Sequence, residues 1–319
     1  MMSRTPTRMT GADGVRALAC LGIFMHHVAG RLGIVDVGAA TLLLDLSSFG
    51  VCIFFVLSGI LLSAPFWRAY YAQELLPCLS KYWGRRLARI VPAYYVCLAI
   101  VAFYSHDTSV TALRRFFSGL TFTNSFLPET FFPVEFDGPL WTVGVEMTSY
   151  LLLPVWMEGL FLTRRILPAP LSCVLSVVIL LVIQKLLFVI YEPGVTSPVM
   201  TGLPHMAAVW LPRRNPVALF LHFLAGVFVA SVLVRHPNRA VTHGVDRGIA
   251  RAFNLYDVLA VMLLVGMLYD LYLETWLPTS RPFSASLAYC CHFPWMDYHW
   301  PLFPILAASL LVALARSKR

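Results

Sequence analysis

Eight stretches of this 319-residue chain are long and apolar enough to be read as membrane spans, which leaves little sequence for a water-soluble core. A helix rises about 1.5 Å per residue, so crossing a hydrocarbon layer about 30 Å thick takes about 20 mostly apolar residues. The candidates run approximately from Gly14 to Val35, Leu42 to Ser63, Ile90 to Tyr104, Leu140 to Leu162, Ile166 to Tyr191, Val217 to Val234, Leu255 to Leu273 and Trp300 to Ala315. The third is short and reads as continuous with the basic segment before it. With 59% hydrophobic and 13% charged residues, the chain lies far from the roughly 45–50% and 25% of soluble domains. The expected fold is an all-α, polytopic transmembrane bundle of about eight spans, with residues 1–319 as one integral-membrane domain.

The net charge of +8 is gathered in short clusters between apolar runs. That pattern orients helices in a bilayer and forms no aromatic-interleaved basic surface, so nucleic acid is not an expected partner. Of the 24 Lys and Arg, Arg16 and Lys185 fall inside runs, and Arg31, toward the outer end of the first run, falls on one side with Arg114, Arg115, Arg213, Arg214 and Arg281. All the others share the side of the N-terminus. The positive-inside rule therefore places the N-terminus in the cytoplasm, and an even number of spans returns the C-terminus there. The longest outer connection, Ser105 to Pro139, carries Phe116, Phe117, Phe122, Phe126, Phe131 and Phe132, and is expected to lie on or re-enter the membrane interface.

Seven cysteines, an odd number with no CxxC pair, give neither a disulfide framework nor a zinc site. Cys290, Cys291 and His292 are adjacent, and neighbouring helical residues diverge by about 100°, so no metal site is expected. The first apolar run is too long for a signal-peptide core and lacks an obvious small-residue cleavage site; it reads as a retained anchor.

Charge inside these runs is the second constraint. Arg16 and His27 are eleven residues apart, about three helical turns, so both project from one face about 16 Å apart. Ionisable groups at membrane depth are costly and mark functional sites by default. Counted from Asp13, His27 lies about 21 Å up, about 9 Å below the outer edge of the core, and Glu146 reaches the same depth from the opposite direction. A histidine and a carboxylate at one depth form a base and its orienter, or an ion pair that joins two helices. His26 is about 80° off the Arg16 face, which favours His27. Asp13, three residues before Arg16, is placed to pair with it at the helix start.

Ahead of the third run stands Lys81-Tyr82-Trp83-Gly84-Arg85-Arg86-Leu87-Ala88-Arg89-Ile90-Val91-Pro92. Arg86 and Arg89 share a helical face and suit a phosphate between them, although any juxtamembrane basic cluster also sets topology or touches anionic lipid. In Phe54-Phe55-Val56-Leu57-Ser58-Gly59, Ser58 and Gly59 permit close helix approach. Trp141, which opens Trp141-Thr142-Val143-Gly144-Val145-Glu146, taken alone is an interfacial aromatic.

Taken in order, these strings resemble the membrane-bound acyltransferase family 3, which transfers acyl groups to envelope glycans and other acceptors. The resemblance runs through Asp13-Gly14-Val15-Arg16-Ala17-Leu18-Ala19, His27, Gly50 to Gly59, Arg86 to Pro92 and Gly138 to Glu146, so it covers about the first 155 residues. It implies an essential Arg16 and His27, and an acyl-donor role for Arg86 and Arg89. Asp13, Ser58 and Trp141 are further site candidates. It also implies acyl-coenzyme A as co-substrate with no bound cofactor, a glycan or lipid-linked sugar as acceptor, and a multi-pass place in the bacterial inner membrane. The family usually has about ten spans, more than are counted here. A rival reading from mid-membrane charge alone is a transporter or flippase of a lipid-linked saccharide, although neither an internal repeat nor matched helix breaks are present.

Overall fold

The computed structural model describes residues 12–32, 49–126, 130, 140–163, 166–191, 211–235, 265 and 302–316. All regular structure among them is helical. The helices are α1 (Ala12–Leu32), α2 (Gly50–Ala72), α3 (Leu79–Ser105), α4 (Val110–Leu120), α5 (Trp141–Thr163), α6 (Ala169–Tyr191), α7 (Pro216–Arg235) and α8 (Leu302–Arg316). Four are long and apolar enough to cross a membrane: Gly50–Ala72, Leu79–Ser105, Leu171–Ile190 and Leu211–Arg235. Apart from Val265, the run from Leu255 to Leu273 lies outside the described residues.

Two helices extend beyond the apolar runs that announced them. The second run was expected to end at Ser63, but α2 continues through Pro65 to Ala72. Phe66 and Trp67, at 0% and 1% exposure, are core residues, so the helix is held by packing where proline removes a backbone hydrogen bond. The third run begins at Ile90, whereas α3 starts at Leu79 and takes in the whole basic segment. Leu, Lys and Arg are good helix formers, so the charged turns extend the apolar helix without a break. In the long connection after α3, Ser109 caps α4 by accepting from the Ala112 N–H at 3.1 Å. That helix leaves Val110, Leu113 and Phe117 exposed.

The chain forms two compact units, with boundaries inside α2 at Ala64/Pro65 and inside α7 at Leu221/His222. In the first unit α1 packs on α8, and Phe49 meets the Phe303 ring at a centroid distance of 4.6 Å. A Cβ on Gly50 would come within 2.6 Å of the Ala19 carbonyl, so glycine there lets the start of α2 rest on α1. Deeper in the unit α2 crosses α7. A Cβ on Gly59 would strike the Phe223 backbone, and one on Gly226 would strike the Val56 backbone. The sequence expectation of close approach at Ser58-Gly59 thus has a specific partner.

In the second unit α3 packs against α4 and α5, and α5 against α6. Tyr94 and Leu98 of α3 form a small buried core that receives Leu140 and Val143 from the start of α5. The Tyr94 hydroxyl donates to the Gly119 carbonyl at 3.2 Å, and its ring stacks on Phe122 at 5.0 Å. A second polar knot fixes α6 to the start of α7. Gln184 donates to the Pro212 carbonyl at 2.7 Å and accepts from Asn215 at 2.8 Å, while the Asn215 side-chain oxygen caps Val217 and Ala218 at 2.9 and 3.0 Å.

Candidate active site

The first unit carries Asp13, Arg16, His27 and Ser58. On α1, Arg16 Nη1 lies 3.6 Å from Asp13 Oδ1, the i,i+3 pair that the spacing allows. Asp13 is 72% exposed, and ion pairs of such exposure contribute only about 0.2–1 kcal/mol, so the contact leaves the guanidinium available to a stronger anion. Three turns on, the rings of His26 and His27 meet edge to face with centroids 5.6 Å apart and an interplanar angle of 77°. Both imidazoles are partly buried. Ser58 is also partly buried, beside the Gly59 crossing.

The second unit carries Arg86, Arg89, Trp141 and Glu146. Glu146 is four residues before Tyr150 on α5, and the buried Tyr150 hydroxyl donates to its Oε1. A phenolic O–H held on a carboxyl oxygen orients the acidic group. The carbonyl of the same Tyr150 accepts from the Tyr82 hydroxyl at 3.3 Å. Tyr82 stands at the start of α3, one turn from Arg86, and its ring packs edge to face on Phe66 at 5.5 Å. One residue, Tyr150, therefore links the basic helix start to the carboxylate.

The first turn of α5 is fixed from below and above. Gly144 lies on Asn124, where a Cβ would collide with the side-chain oxygen, and Ser125 donates to the Trp141 carbonyl at 3.3 Å. Trp141, only 3% exposed, lies beneath the guanidinium of Arg214, whose carbon is 5.7 Å from its ring centroid. This is cation–π geometry, and it makes Trp141 a packed residue with a cation above it. The Trp-to-Glu string is thus positioned by the α4–α5 connection on one side and by the residues before α7 on the other.

On α3 the two arginines of the Arg-x-x-Arg string differ. Arg89 is exposed, whereas Arg86 is partly buried and its Nε is sealed from solvent. Within this unit a hydrogen-bonded line runs from Tyr82, one turn before Arg86 on α3, to Glu146, through residues that sequence reasoning passed over. Tyr150 was signalled by its i+4 spacing from Glu146. Tyr82 was visible only as part of the basic string, and nothing in the sequence tied it to a residue 68 positions away. Asn124 and Ser125 carried no signal, since their role depends on which loop lies under Gly144.

No solved structure matches the chain. Acyltransferase MdmB of Streptomyces mycarofaciens is 27% identical over 235 residues, which cover 71% of this chain and 58% of that protein. O-acetyltransferase OatA of Staphylococcus aureus is 25% identical over 209 residues, covering 62% of this chain and 32% of that protein. The chain thus spans well under two thirds of the length of either relative. A family model described as an acyltransferase domain matches residues 9–317, nearly the whole chain, including the segments that carried no recognisable motif. The chain belongs to this family of membrane acyltransferases, acyltransferase family 3.

Proposed function

We propose that the protein is an integral-membrane O-acyltransferase that moves an acyl group, acetyl in the simplest case, from cytoplasmic acyl-coenzyme A to a hydroxyl of a glycan or lipid-linked sugar. The observation that carries this reading is the line from Tyr82 through Tyr150 to Glu146. It joins the Glu146 carboxylate to the helix start that bears Arg86. The relatives named for acyl and O-acetyl transfer support the same chemistry.

In this scheme the donor's phosphates rest on Arg86 and Arg89, whose guanidiniums are well shaped for phosphate oxygens, and Arg16 is the further donor-binding residue that the family resemblance implies. The pantetheine arm carries the thioester into the bundle. His27, whose side-chain type titrates near neutrality, takes the proton from the acceptor hydroxyl as its oxygen attacks the thioester carbonyl. The new C–O bond forms, the C–S bond breaks, and the leaving thiolate recovers the proton from the imidazolium. General-base help of this kind is worth roughly 10²–10⁴ in rate. Glu146, held by the Tyr150 hydroxyl, is the second catalytic residue of the scheme, and the acceptor enters from the outer side. Acyl-coenzyme A is consumed as a co-substrate, and the scheme uses no resident cofactor.

The test is transfer of radiolabelled acetyl from acetyl-coenzyme A in membranes that contain the full chain, with insertion of each variant verified. His27→Ala is expected to reduce transfer by roughly two to four orders of magnitude. A His27→Ala protein that works at the wild-type rate would overturn the assignment, and a wild-type protein that transfers no label would overturn the reaction itself. Comparing the acyl content of envelope polysaccharides with and without the protein then identifies the acceptor class.

A further inference from the structure

On α3, Trp83 and Arg86 present two nitrogen donors that are sealed from solvent and have no hydrogen-bond acceptor among the described residues: the indole Nε1 and the guanidinium Nε. Neither atom can accept a hydrogen bond, so each is satisfied only by an acceptor brought to it. Buried polar groups in folded proteins are almost always partnered, and an exception calls for an explanation such as an unseen ligand. Two exceptions three residues apart, hence neighbours on one helical face, call for a shared one. The nearby phenol is committed elsewhere, since the Tyr82 hydroxyl donates to the Tyr150 carbonyl. Gly84, between the two donors in sequence, has nothing within 4 Å of where a Cβ would stand.

The ligand's chemistry follows from the donors. One is neutral and one cationic, both are directional, and an acceptor that meets both is an oxyanion. The Nε edge of a guanidinium engages phosphate oxygens in paired, charge-assisted hydrogen bonds. We propose that Trp83 Nε1 and Arg86 Nε together bind a phosphate oxyanion of the acyl donor, so that Trp83 is a donor-binding residue. Arg89, which is exposed, plays the lesser part in this contact. The inference rests on the acyl-coenzyme A reading above and assigns it a residue that the Arg-x-x-Arg string does not contain.

The experiment measures binding of coenzyme A and of S-acetylpantetheine, which lacks the phosphates, to the purified full chain in detergent. It compares wild type, Trp83→Phe and Arg86→Lys. Trp83→Phe keeps the ring and removes only the N–H; Arg86→Lys keeps the charge and removes the directed Nε donor. Each is expected to weaken coenzyme A binding about tenfold, as loss of one hydrogen bond to a charged group does, and to leave S-acetylpantetheine binding unchanged. In transfer assays the loss should appear in KM for acetyl-coenzyme A, with kcat little altered. Unchanged binding by Trp83→Phe, where wild type binds coenzyme A, overturns this inference alone. Failure of wild type to bind coenzyme A overturns the donor reading with it. A parallel arm uses vesicles of phosphatidylglycerol: if Trp83→Phe weakens attachment to these and not to coenzyme A, the oxyanion is a lipid headgroup and the donor assignment falls. Equal weakening toward S-acetylpantetheine indicates a disturbed fold and also counts against the assignment.

Discussion

Gly59 of α2 and Gly226 of α7 form a reciprocal crossing, in which each glycine lies where a Cβ would strike the other helix's backbone, at Phe223 and Val56. Close backbone approach through small residues replaces the hydrophobic driving force that helices in lipid lack. Here both contacts are with main chain, which has no rotamer to move aside. Gly59→Ala and Gly226→Ala should each destabilise the protein by about 1–3 kcal/mol, the usual cost of forcing atoms into a packed interior. A thermal shift of the detergent-solubilised chain measures it. A melting temperature within a degree of wild type for both variants would mean that the helices do not cross this closely.

Tyr150→Phe removes the hydroxyl that holds Glu146 and leaves the ring in place. Hydrogen bonds to charged groups contribute about 1.5–3 kcal/mol, so the melting temperature should fall and acyl transfer should drop by about tenfold or more. Full activity in Tyr150→Phe would show that this hydroxyl does not prepare the carboxylate for the reaction.

Asn215 caps α7 and completes the buried bond to Gln184. Asn215→Ala loses the cap, which costs about 1 kcal/mol, and also takes a donor away from the buried Gln184 oxygen. A combined loss of about 2–3 kcal/mol is expected in chemical or thermal unfolding. Asn215→Asp keeps the capping oxygen and should restore part of the stability. If the alanine protein unfolds like wild type, the knot does not hold the helices.

Asp107 lies between α3 and α4, and its Oδ1 accepts the Ser109 N–H at 2.8 Å. That backbone hydrogen bond, with smaller help from the Ser109 side chain, holds its carboxyl below the usual range. A depressed carboxylate supports the fold fully above its ordinary pKa and progressively less as pH falls through the depressed one. Amide protection at the start of α4, corrected for intrinsic exchange, should therefore decline on acidification toward pH 3, and Asp107→Asn should flatten that decline. An unaltered pH profile in the asparagine protein would sever the link between this carboxylate and the turn.

Much of the fold was legible because a lipid span needs a length of apolar sequence and little else. The starts and ends of α5 and α7 fall within one or two residues of the runs that predicted them. The boundaries that moved, the end of α2 and the start of α3, did so where proline or charge interrupts hydropathy without interrupting the helix. The Arg16, His27 and Glu146 strings stood out for a different reason, since charge in an apolar run is costly, and Arg86 stood out through its spacing to Arg89 in a basic segment.

By itself, then, the sequence determined most of the long apolar helices among the described residues, where charge enters the chain, and to which family it belongs, since each depends on residues close along the chain or on their order. The tertiary structure decided which face of each helix meets which neighbour. That choice fixed Gly59 against Phe223, Gly226 against Val56, Tyr82 on Tyr150, Gln184 with Asn215, and Asn124 beneath Gly144. Such pairs are hidden in the sequence because a helix that is apolar all round has no hydrophobic face to set its rotation. In α2, α5 and α7 the rotation is set by fit, by where a glycine admits a backbone or a phenol reaches a carbonyl, and fit exists only between helices already assembled.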